Sequence, residues 1–450
     1  MVVVFLLVLV VVLALLGAVH WYVWRRLVRD LTAPGGPARR AGTAAAVVLP
    51  LLSVAALVSG RAGAPFGLQQ AVAWPGFLWL ALLLYVTLAL AVTEPLRPLL
   101  RRVLARRAGG DTATGAAEAP VPVSAPAQAP AVPGAEATAP AEAAESPDAP
   151  SSPGSPDAPS SPDAPTAPDP ARTPDLPRRL FVNRLVSGTA AAVAVGTVGV
   201  GAYGVLRGPR VKRVTVSLAK LPRGAHGYRI AVVSDIHLGP ILGRAHTQRI
   251  VDTINATQPD LVAVVGDLVD GTVQDLGSAA EPLARLRARD GSFFVTGNHE
   301  YFSGADAWVD HVRELGLHPL RNARVEIGAG FDLAGVDDVA GESEGHGPDF
   351  GRALGDRDRA RTAVLLAHQP IVIDDAVRHG VDLQLSGHTH GGQLWPGNYL
   401  AELANPTVAG LERYGDTQLY VSRGAGAWGP PVRVGAPSDI TVVELASRQA

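Results

Sequence analysis

The sequence contains no cysteine. Disulfide bonds, zinc–thiolate sites and cysteine nucleophiles are therefore excluded, although this absence assigns no compartment. The sequence also has no excess of positive charge. It contains 39 lysines and arginines and 41 aspartates and glutamates, for a formal net charge of −2. Such a chain is not drawn to nucleic acid by bulk electrostatics, and we expect no nucleic-acid partner.

The chain is divided into regions of different composition. Residues 1–107 are apolar and interrupted by arginine clusters, whereas residues 108–177 consist almost entirely of Ala, Pro, Ser, Asp, Glu, Gly and Thr. Repeats such as "SPDAPSSPDAP" cannot bury enough apolar surface to fold, so residues 108–177 are predicted to be a disordered linker. Residues 209–450 have the composition of a soluble domain, and about 240 residues suffice for a full core.

Three apolar stretches within residues 1–107 are long enough to cross a bilayer. The first, residues 2–24, ends in "HWYVWRR", with aromatic side chains beside cations as at a membrane interface. It is too long for a cleaved signal peptide and lacks a basic segment before it. Residues 41–60 and 71–92 are the other two. They contain no Asp, Glu or Lys, which does not support an ion pathway, so we interpret the three spans as an anchor or assembly module.

A fourth apolar stretch covers residues 185–206, within a segment at 178–208. Arg178 and Arg179 precede it and resemble a twin-arginine export signal, although Pro177 departs from that pattern. The segment is therefore interpreted as either a fourth transmembrane helix or a twin-arginine-like signal anchor. Both interpretations place residues 209–450 on the far side of the membrane.

Arginine distribution predicts the orientation of the spans. Arginines cluster at residues 25–40 and 97–107, whereas the loop between the second and third spans carries only Arg61. By the positive-inside rule, both clusters are cytoplasmic and the N-terminus is outside. We therefore expect a multi-pass protein of the cell membrane with an extracytoplasmic soluble domain. Four basic residues soon after the fourth span, between 207 and 213, weaken that argument.

The soluble domain reads as alternating strands and helices. "RIAVVSDIHLG", "DLVAVVGDLVDG" and "GSFFVTGNHE" are predicted buried strands, and "AHTQRIVDTINAT" and "LGSAAEPLARLRAR" are helices between them. Later predicted strands include "RTAVLLAHQP", "VDLQLSGHTHGG", "TQLYVSRGAG" and "DITVVELA". This alternation predicts layered α/β architecture with active groups at the carboxyl ends of strands.

Potential metal ligands follow most of these strands. Residues i and i+2 share a face of an extended strand, so Asp235 with His237, and His388 with His390, are each expected to point the same way. Taken singly, Asp at a strand end is more often a turn former, and a lone His more often structural. Their combination in one half of the chain is not expected by chance. The candidates are Asp235, His237, Asp267, Asn298, His299, His368, His388 and His390.

The ordered motifs "DIHLG", "GDLVDG", "GNHE", "AHQP" and "GHTHGGQ" resemble those of the calcineurin-like metallophosphoesterase superfamily. The resemblance covers about residues 211–446, and its last part looks like a membrane-associated bacterial branch of phosphohydrolases. It implies a layered β-sandwich flanked by helices, following the N-terminal all-α transmembrane region.

The resemblance also implies a dinuclear metal centre. Asp235, His237, Asp267 and His390 would hold one divalent ion, while Asn298, His368 and His388 would hold a second that Asp267 bridges. A metal-bridging hydroxide would attack phosphorus, and His299 would protonate the leaving oxygen. A ligand set without thiolate suits Mn²⁺, Fe²⁺/³⁺ or Zn²⁺.

These features predict a membrane-anchored metal-dependent phosphohydrolase. Its expected substrate is a phosphomonoester or phosphodiester of the cell envelope, such as a lipid-linked compound. A nuclease is less favoured because no basic stripe is visible. A non-catalytic metal-binding sensor or scaffold is the alternative from another class. The sequence fixes neither the substrate, nor the native metal, nor the oligomeric state.

Overall fold

A computed structural model of the protein describes residues 2–114 and 175–449. Two compact units are present. Among the described residues, one comprises residues 2–96 together with 183–449, and the other comprises residues 97–114 and 175–182. Most of the predicted linker, residues 115–174, lies outside the described residues.

The N-terminal part and the segment before the soluble domain are helical. The helices are α1 (Val2–Trp24, followed by a π-helical turn at Arg25–Arg29), α2 (Pro37–Ser59), α3 (Phe66–Thr93), α4 (Leu96–Thr114) and α5 (Asp175–Leu206). By length and composition, four stretches could span a membrane: Val10–Arg29, Pro37–Ser59, Phe66–Thr93 and Leu180–Leu206. The linker was predicted to begin at residue 108, but helix α4 continues for seven further residues, to Thr114.

Helices α2 and α3 form a tightly packed antiparallel hairpin. Gly76 of α3 lies so close to α2 that an added Cβ would be 2.4 Å from the carbonyl oxygen of Leu52. The hydroxyl of Ser53 donates a hydrogen bond of 2.8 Å to the carbonyl oxygen of Gly76. Close approach through a small residue, with one polar contact, is a common way for membrane helices to associate. Any larger side chain at Gly76 would separate the two helices.

The soluble domain contains two six-stranded sheets. The first has the strand order β1 (Arg210–Leu218), β12 (Asp439–Ser447), β2 (Tyr228–Val233), β3 (Leu261–Val265), β4 (Ser292–Val295), β5 (His318–Pro319). The second has the order β10 (Gly410–Tyr414), β11 (Thr417–Val421), β9 (Leu383–Ser386), β8 (Thr362–Leu366), β7 (Phe331–Gly335), β6 (Ala323–Ile327). Strands β2 to β5 are mutually parallel, as are β7, β8, β9 and β11.

The sheets pack face to face and helices cover their outer faces. Alternating apolar residues such as Val232, Leu333 and Leu385 fill the space between the sheets and are fully buried. Helices α6 (Arg244–Ala256), α7 (Val273–Ala280) and α9 (Ala305–Glu314) cover the first sheet, and α10 (Phe350–Leu354) and α11 (Ile373–Arg378) cover the second. Two further short helices, α8 (Asn298–Ser303) and α12 (Gly397–Ala404), do not belong to either set of covering helices. The predicted layered β-sandwich flanked by helices is confirmed.

One predicted helix is shorter than expected. The stretch at residues 276–289 was predicted to be a continuous helix, but α7 ends at Ala280 and a 3₁₀ turn follows at Glu281–Arg285. Pro282 has no N–H to donate and its ring clashes with the preceding turn, so it cannot continue an α-helix. The helix-like spacing of apolar residues continues beyond Ala280, although the α-helix ends there.

Candidate metal centre

The candidate ligands lie together at one edge of the sandwich. Because β2, β3 and β4 are parallel neighbours, their carboxyl ends meet at the same edge, and the ends of β8 and β9 face them from the second sheet. The first sheet contributes Asp235 and His237 after β2, Asp267 after β3, and Asn298 and His299 at the start of α8; the second contributes His368 after β8, and His388 and His390 after β9.

The backbone that carries these residues is not extended. Strand β2 ends at Val233 and β9 at Ser386, so the prediction that each ligand pair shares one face of a strand is wrong. Five ligands instead adopt left-handed backbone conformations, which cost on the order of 1–3 kcal/mol each for residues other than glycine. Their φ angles are 53° at Asp235, 49° at His237, 51° at Asp267, 72° at His388 and 53° at His390.

A first group of ligand atoms comes from both sheets. His237 Nε2 lies 3.0 Å from His390 Nε2, and His390 Nε2 lies 3.4 Å from Asp235 Oδ1. Asp267 Oδ2 is 3.8 Å from His237 Nε2. The four residues expected to hold one ion are therefore neighbours, and their donor atoms face one another.

A second group lies beside the first. His368 Nε2 is 3.1 Å from Asp267 Oδ2, and His388 Nδ1 is 3.0 Å from Asn298 Oδ1. Donor atoms of Asp267, His368 and His388 all lie within 4.8 Å of one another. The same oxygen of Asp267 thus faces both groups.

Asp270 joins His237 to His299. Its Oδ1 atom lies 2.9 Å from His237 Nδ1 and 2.6 Å from His299 Nδ1. Burial opposes ionisation of this carboxyl, but its interactions with both imidazoles lower the pKa of Asp270 to about 2. From sequence alone, Asp270, which lies close to the candidate ligand Asp267, could equally be a supporting residue or a solvated loop carboxylate. The structure shows a carboxylate that orients two site histidines through their Nδ1 atoms.

The donor set fits divalent cations. His368 Nε2 is buried and faces the centre beside Asp267, while its Nδ1 is 2.9 Å from the carbonyl oxygen of Val265. Burial and the charge of His368 lower the pKa of His388 to about 4, and burial and His237 hold the pKa of His390 well below its ordinary value. Neutral imidazoles such as these two are the form that binds metals. The carboxylates act in the opposite direction on the other two: against the effect of burial, Asp270 raises the pKa of His237 to about 9 and Asp267 raises the pKa of His368 well above its ordinary value. Carboxylate, imidazole and amide donors together suit Mn, Fe or Zn better than Ca²⁺.

Glu300 supports the centre from beneath. From sequence alone, this neighbour of Asn298 and His299 could equally have supported the site or been a solvated loop carboxylate. Its fully buried carboxylate accepts hydrogen bonds from the backbone N–H groups of Gly297 at 2.6 Å, Leu268 at 2.7 Å and Asp267 at 3.0 Å. It therefore ties the loop after β3 to the start of α8. A glutamate at the third position of a helix, capping its N-terminus, was the signal for this role.

The sequence reasoning missed Arg433, and no pattern in its Gly/Pro-rich loop pointed to it. Its guanidinium donates to the carbonyl oxygen of His390 at 3.0 Å and lies 3.1 Å from His390 Nδ1. Burial lowers the pKa of Arg433 to about 10. The side chain holds the turn that carries His390 against the loop that follows β11.

A cavity of about 430 Å³ opens beside the centre. His237, Asp270 and His299 line it on one side. The rings of Phe302 and Trp428 contact His299 edge to face, with centroids 5.6 and 5.8 Å away. Trp428 belongs to the stretch "SRGAGAWGPP", which contains no helix.

Comparisons with known proteins agree with this site. Residues 228–392 match the family model of the calcineurin-like phosphoesterases. The chain is 35% identical over 240 residues to a protein of Aquifex aeolicus described as an uncharacterized metallophosphoesterase, covering 52% of this chain and 91% of that one. It is 40% identical over 250 residues to a "Transmembrane protein with metallophosphoesterase domain" of Danio rerio, covering 53% of this chain.

The match spans only 57% of the Danio rerio protein's own length. Among solved structures, a dimetal phosphatase from Danio rerio aligns with 49% of this chain and 93% of its own, at 11% identity and a TM-score of 0.36. That structural likeness is too weak to bear on function.

Proposed function

Because this chain belongs to the calcineurin-like metallophosphoesterases, and is thus a metal-dependent phosphoric ester hydrolase, we propose that it works with two divalent ions. The observation that carries the proposal is the position of Asp267. Its Oδ2 atom lies 3.8 Å from His237 Nε2 and 3.1 Å from His368 Nε2. One carboxylate oxygen can therefore be shared by two ligand groups.

The ligands divide between the two ions as the geometry groups them. One ion would be held by Asp235, His237, Asp267 and His390, and the other by Asp267, Asn298, His368 and His388. When bound, such ions supply an activated water and neutralise negative charge on the phosphate oxygens. Manganese, iron or zinc would suit these donors.

The protein's own residues supply the proton and the orientation. His299 stands at the cavity side of the centre, with 13% of its side chain exposed, where the leaving oxygen of a phosphoester would lie. Its Nδ1 faces Asp270, so Nε2 is left to donate a proton to that oxygen. Asp270 remains ionised over the working pH range and fixes the ring.

The proposed substrate is a phosphoester of the extracytoplasmic envelope. Four stretches are long and apolar enough to span a membrane, and arginine clusters favour cytoplasmic placement of residues 25–40 and 97–107. The soluble domain would then follow the fourth span to the outside. A lipid-linked phosphoester would be within its reach there.

The test is hydrolysis of bis-p-nitrophenyl phosphate and p-nitrophenyl phosphate by the purified full-length chain in detergent with Mn²⁺. We expect turnover that chelation abolishes, and a fall of at least about 10³-fold in Asp267→Asn, because that variant weakens both ion sites at once. Asp252→Asn, a change of the same type in the exposed part of α6, should retain full activity.

Absence of turnover with Mn²⁺, Fe²⁺ and Zn²⁺, in protein that still binds metal, would contradict the proposal. That result would instead favour a metal-binding sensor or scaffold. The relative rates on the two compounds would separate a diesterase from a monoesterase.

A further inference from the structure

The cavity beside the metal centre has a second wall, built by the apolar helices α2 and α3. We name this the helix wall and define it by Leu57 and Arg61 at the end of α2, and by Phe66, Phe77 and Leu80 of α3. The opposite, catalytic wall contains His237, Asp270 and His299. A side chain of the helix wall therefore faces the same space as the proposed proton donor.

Contacts along α3 fix the helix wall to the soluble domain. Phe66 packs against the buried cluster beneath the first sheet. Phe77 lies beside Gly429, where an added Cβ would be 3.6 Å from its ring. Further along, the Tyr85 hydroxyl donates a hydrogen bond of 3.0 Å to the carbonyl oxygen of Trp395. These contacts run from residue 66 to residue 85, which are 19 positions or about 28 Å apart along α3. The wall-forming face of α3 therefore packs along the domain rather than against lipid.

Helical spacing explains which residues reach the cavity. Leu57 and Arg61 are four residues apart and share one face of α2, and Phe77 and Leu80 are three apart on α3. Val58, the neighbour of Leu57, is 51% exposed and does not line the cavity. A single stripe of each helix therefore forms the wall.

The helix wall is apolar apart from one cation, and the polar amide of Gln69 of α3 lines the cavity beside it. Leu57, Phe66, Phe77 and Leu80 present hydrocarbon to the cavity, whereas Arg61 is the only lysine or arginine among the described residues that line it. The Arg61 guanidinium lies 5.9 Å from the centre of the Phe302 ring, beside the catalytic wall. Such a surface suits a ligand that is apolar at one end and anionic at the other.

We infer that the substrate is an amphipathic phosphoester, an inference that rests on the proposed function. Its phosphate would lie at the metal centre, its apolar group against the helix wall, and Arg61 would contact its anionic part. A cavity of about 430 Å³ accommodates a phosphate with a short apolar chain. The spans that look like a simple anchor in sequence thus act as a specificity element.

The test uses the full-length chain in nanodiscs with Mn²⁺ and a series of methyl, butyl and octyl p-nitrophenyl phosphates. These esters share one phosphodiester and one leaving group and differ only in alkyl length. A buried methylene contributes about 0.8 kcal/mol, or a factor of about four. We expect KM to fall at least tenfold from the methyl to the octyl ester, with kcat nearly unchanged.

Two matched pairs of variants locate the effect. Leu57→Ser should raise KM for the octyl ester at least threefold, whereas Val58→Ser should not, because only Leu57 faces the cavity. Arg61→Gln should raise KM for every ester of the series, whereas Arg40→Gln, at the opposite end of α2, should not. Bound Mn²⁺ per chain, equal in all four, would show that the centre is intact.

The outcomes separate the two proposals. A KM independent of alkyl length, with the methyl ester still hydrolysed, would overturn the inference and leave the proposed function standing. No hydrolysis of any ester would contradict the proposed function itself, and the inference would fall with it. A further arm compares phosphatidylglycerol in the nanodisc with soluble glycerophosphoglycerol, and preference for the lipid would identify the bilayer as the source of the apolar group.

Discussion

The two walls of the cavity are built on different physical principles. The catalytic wall consists of charged and hydrogen-bonded side chains on strained loops, such as the buried His237 with a φ of 49°. The helix wall consists of apolar side chains on regular helices, such as Leu57 and Phe77. In the roles proposed for them, the catalytic wall determines which bond is hydrolysed, and the helix wall determines which substrates bind.

The walls also differ in how firmly each side chain is placed. Asp235 accepts from the His388 backbone N–H at 3.0 Å, and Glu300 accepts from three backbone N–H groups beneath the centre. Such networks can hold left-handed residues that would otherwise be unfavourable. Within the helix wall, α2 and α3 are joined by close packing at Gly76 and one hydrogen bond from Ser53, of a kind that contributes about 0.6 kcal/mol between membrane helices.

Substitution of His299 should lower kcat more selectively than any other change in the catalytic wall. We expect His299→Ala to lower kcat by about 10²–10⁴-fold for esters with a poor leaving group, because the proton donor is lost. The loss should be much smaller for p-nitrophenyl esters, whose leaving oxygen needs no proton. Paired kcat measurements on an alkyl and a p-nitrophenyl ester check this difference.

The control for that prediction is His318→Ala, which removes an exposed histidine from the edge strand β5. It should leave both rates unchanged. Equal losses on the two kinds of ester in His299→Ala would show that His299 is structural rather than a proton donor.

A smaller effect is expected at Asp270 of the catalytic wall. Asp270→Asn should lower activity by about 10–100-fold, since it removes the acceptor that orients both His237 and His299. Metal titration should show weaker binding at the ion site that contains His237. A variant with wild-type metal affinity and rate would show that the two short contacts of Asp270 have no role in the site.

Helix-wall substitutions should have the smallest effects and should appear in KM. For Leu57→Ser we expect KM for the octyl ester to rise at least threefold. For His299→Ala, by contrast, the predicted change is a loss in kcat. A helix-wall variant that lowered kcat instead would mean that the two walls do not divide binding from chemistry.

Much of the candidate metal centre was predictable from sequence. Parallel strands must end at one edge, so Asp235, Asp267 and Asn298 were expected to meet, and they do. The left-handed conformations of His388 and His390 were not predictable, because "GHTH" continues a strand-like pattern that the tertiary hydrogen bonds override. Membership of the family and the layered fold are confirmed.

The helix wall could not be predicted. Leu57 and Arg61 are separated from His299 by more than 200 residues, and each also satisfies the simpler pattern of a membrane span with its flanking arginine. Only packing at Phe66, Gly76 and Phe77 places them at the cavity. The orientation of the spans and the extracytoplasmic position of the domain remain predictions.

The most direct test of the two-ion centre is the number of Mn²⁺ ions bound per full-length chain, measured in the wild type and in two single-ligand variants. We predict two ions in the wild type and one each in Asp235→Ala and Asn298→Ala, because these side chains belong to different ligand groups. One ion in the wild type, or two ions in both variants, would contradict the account.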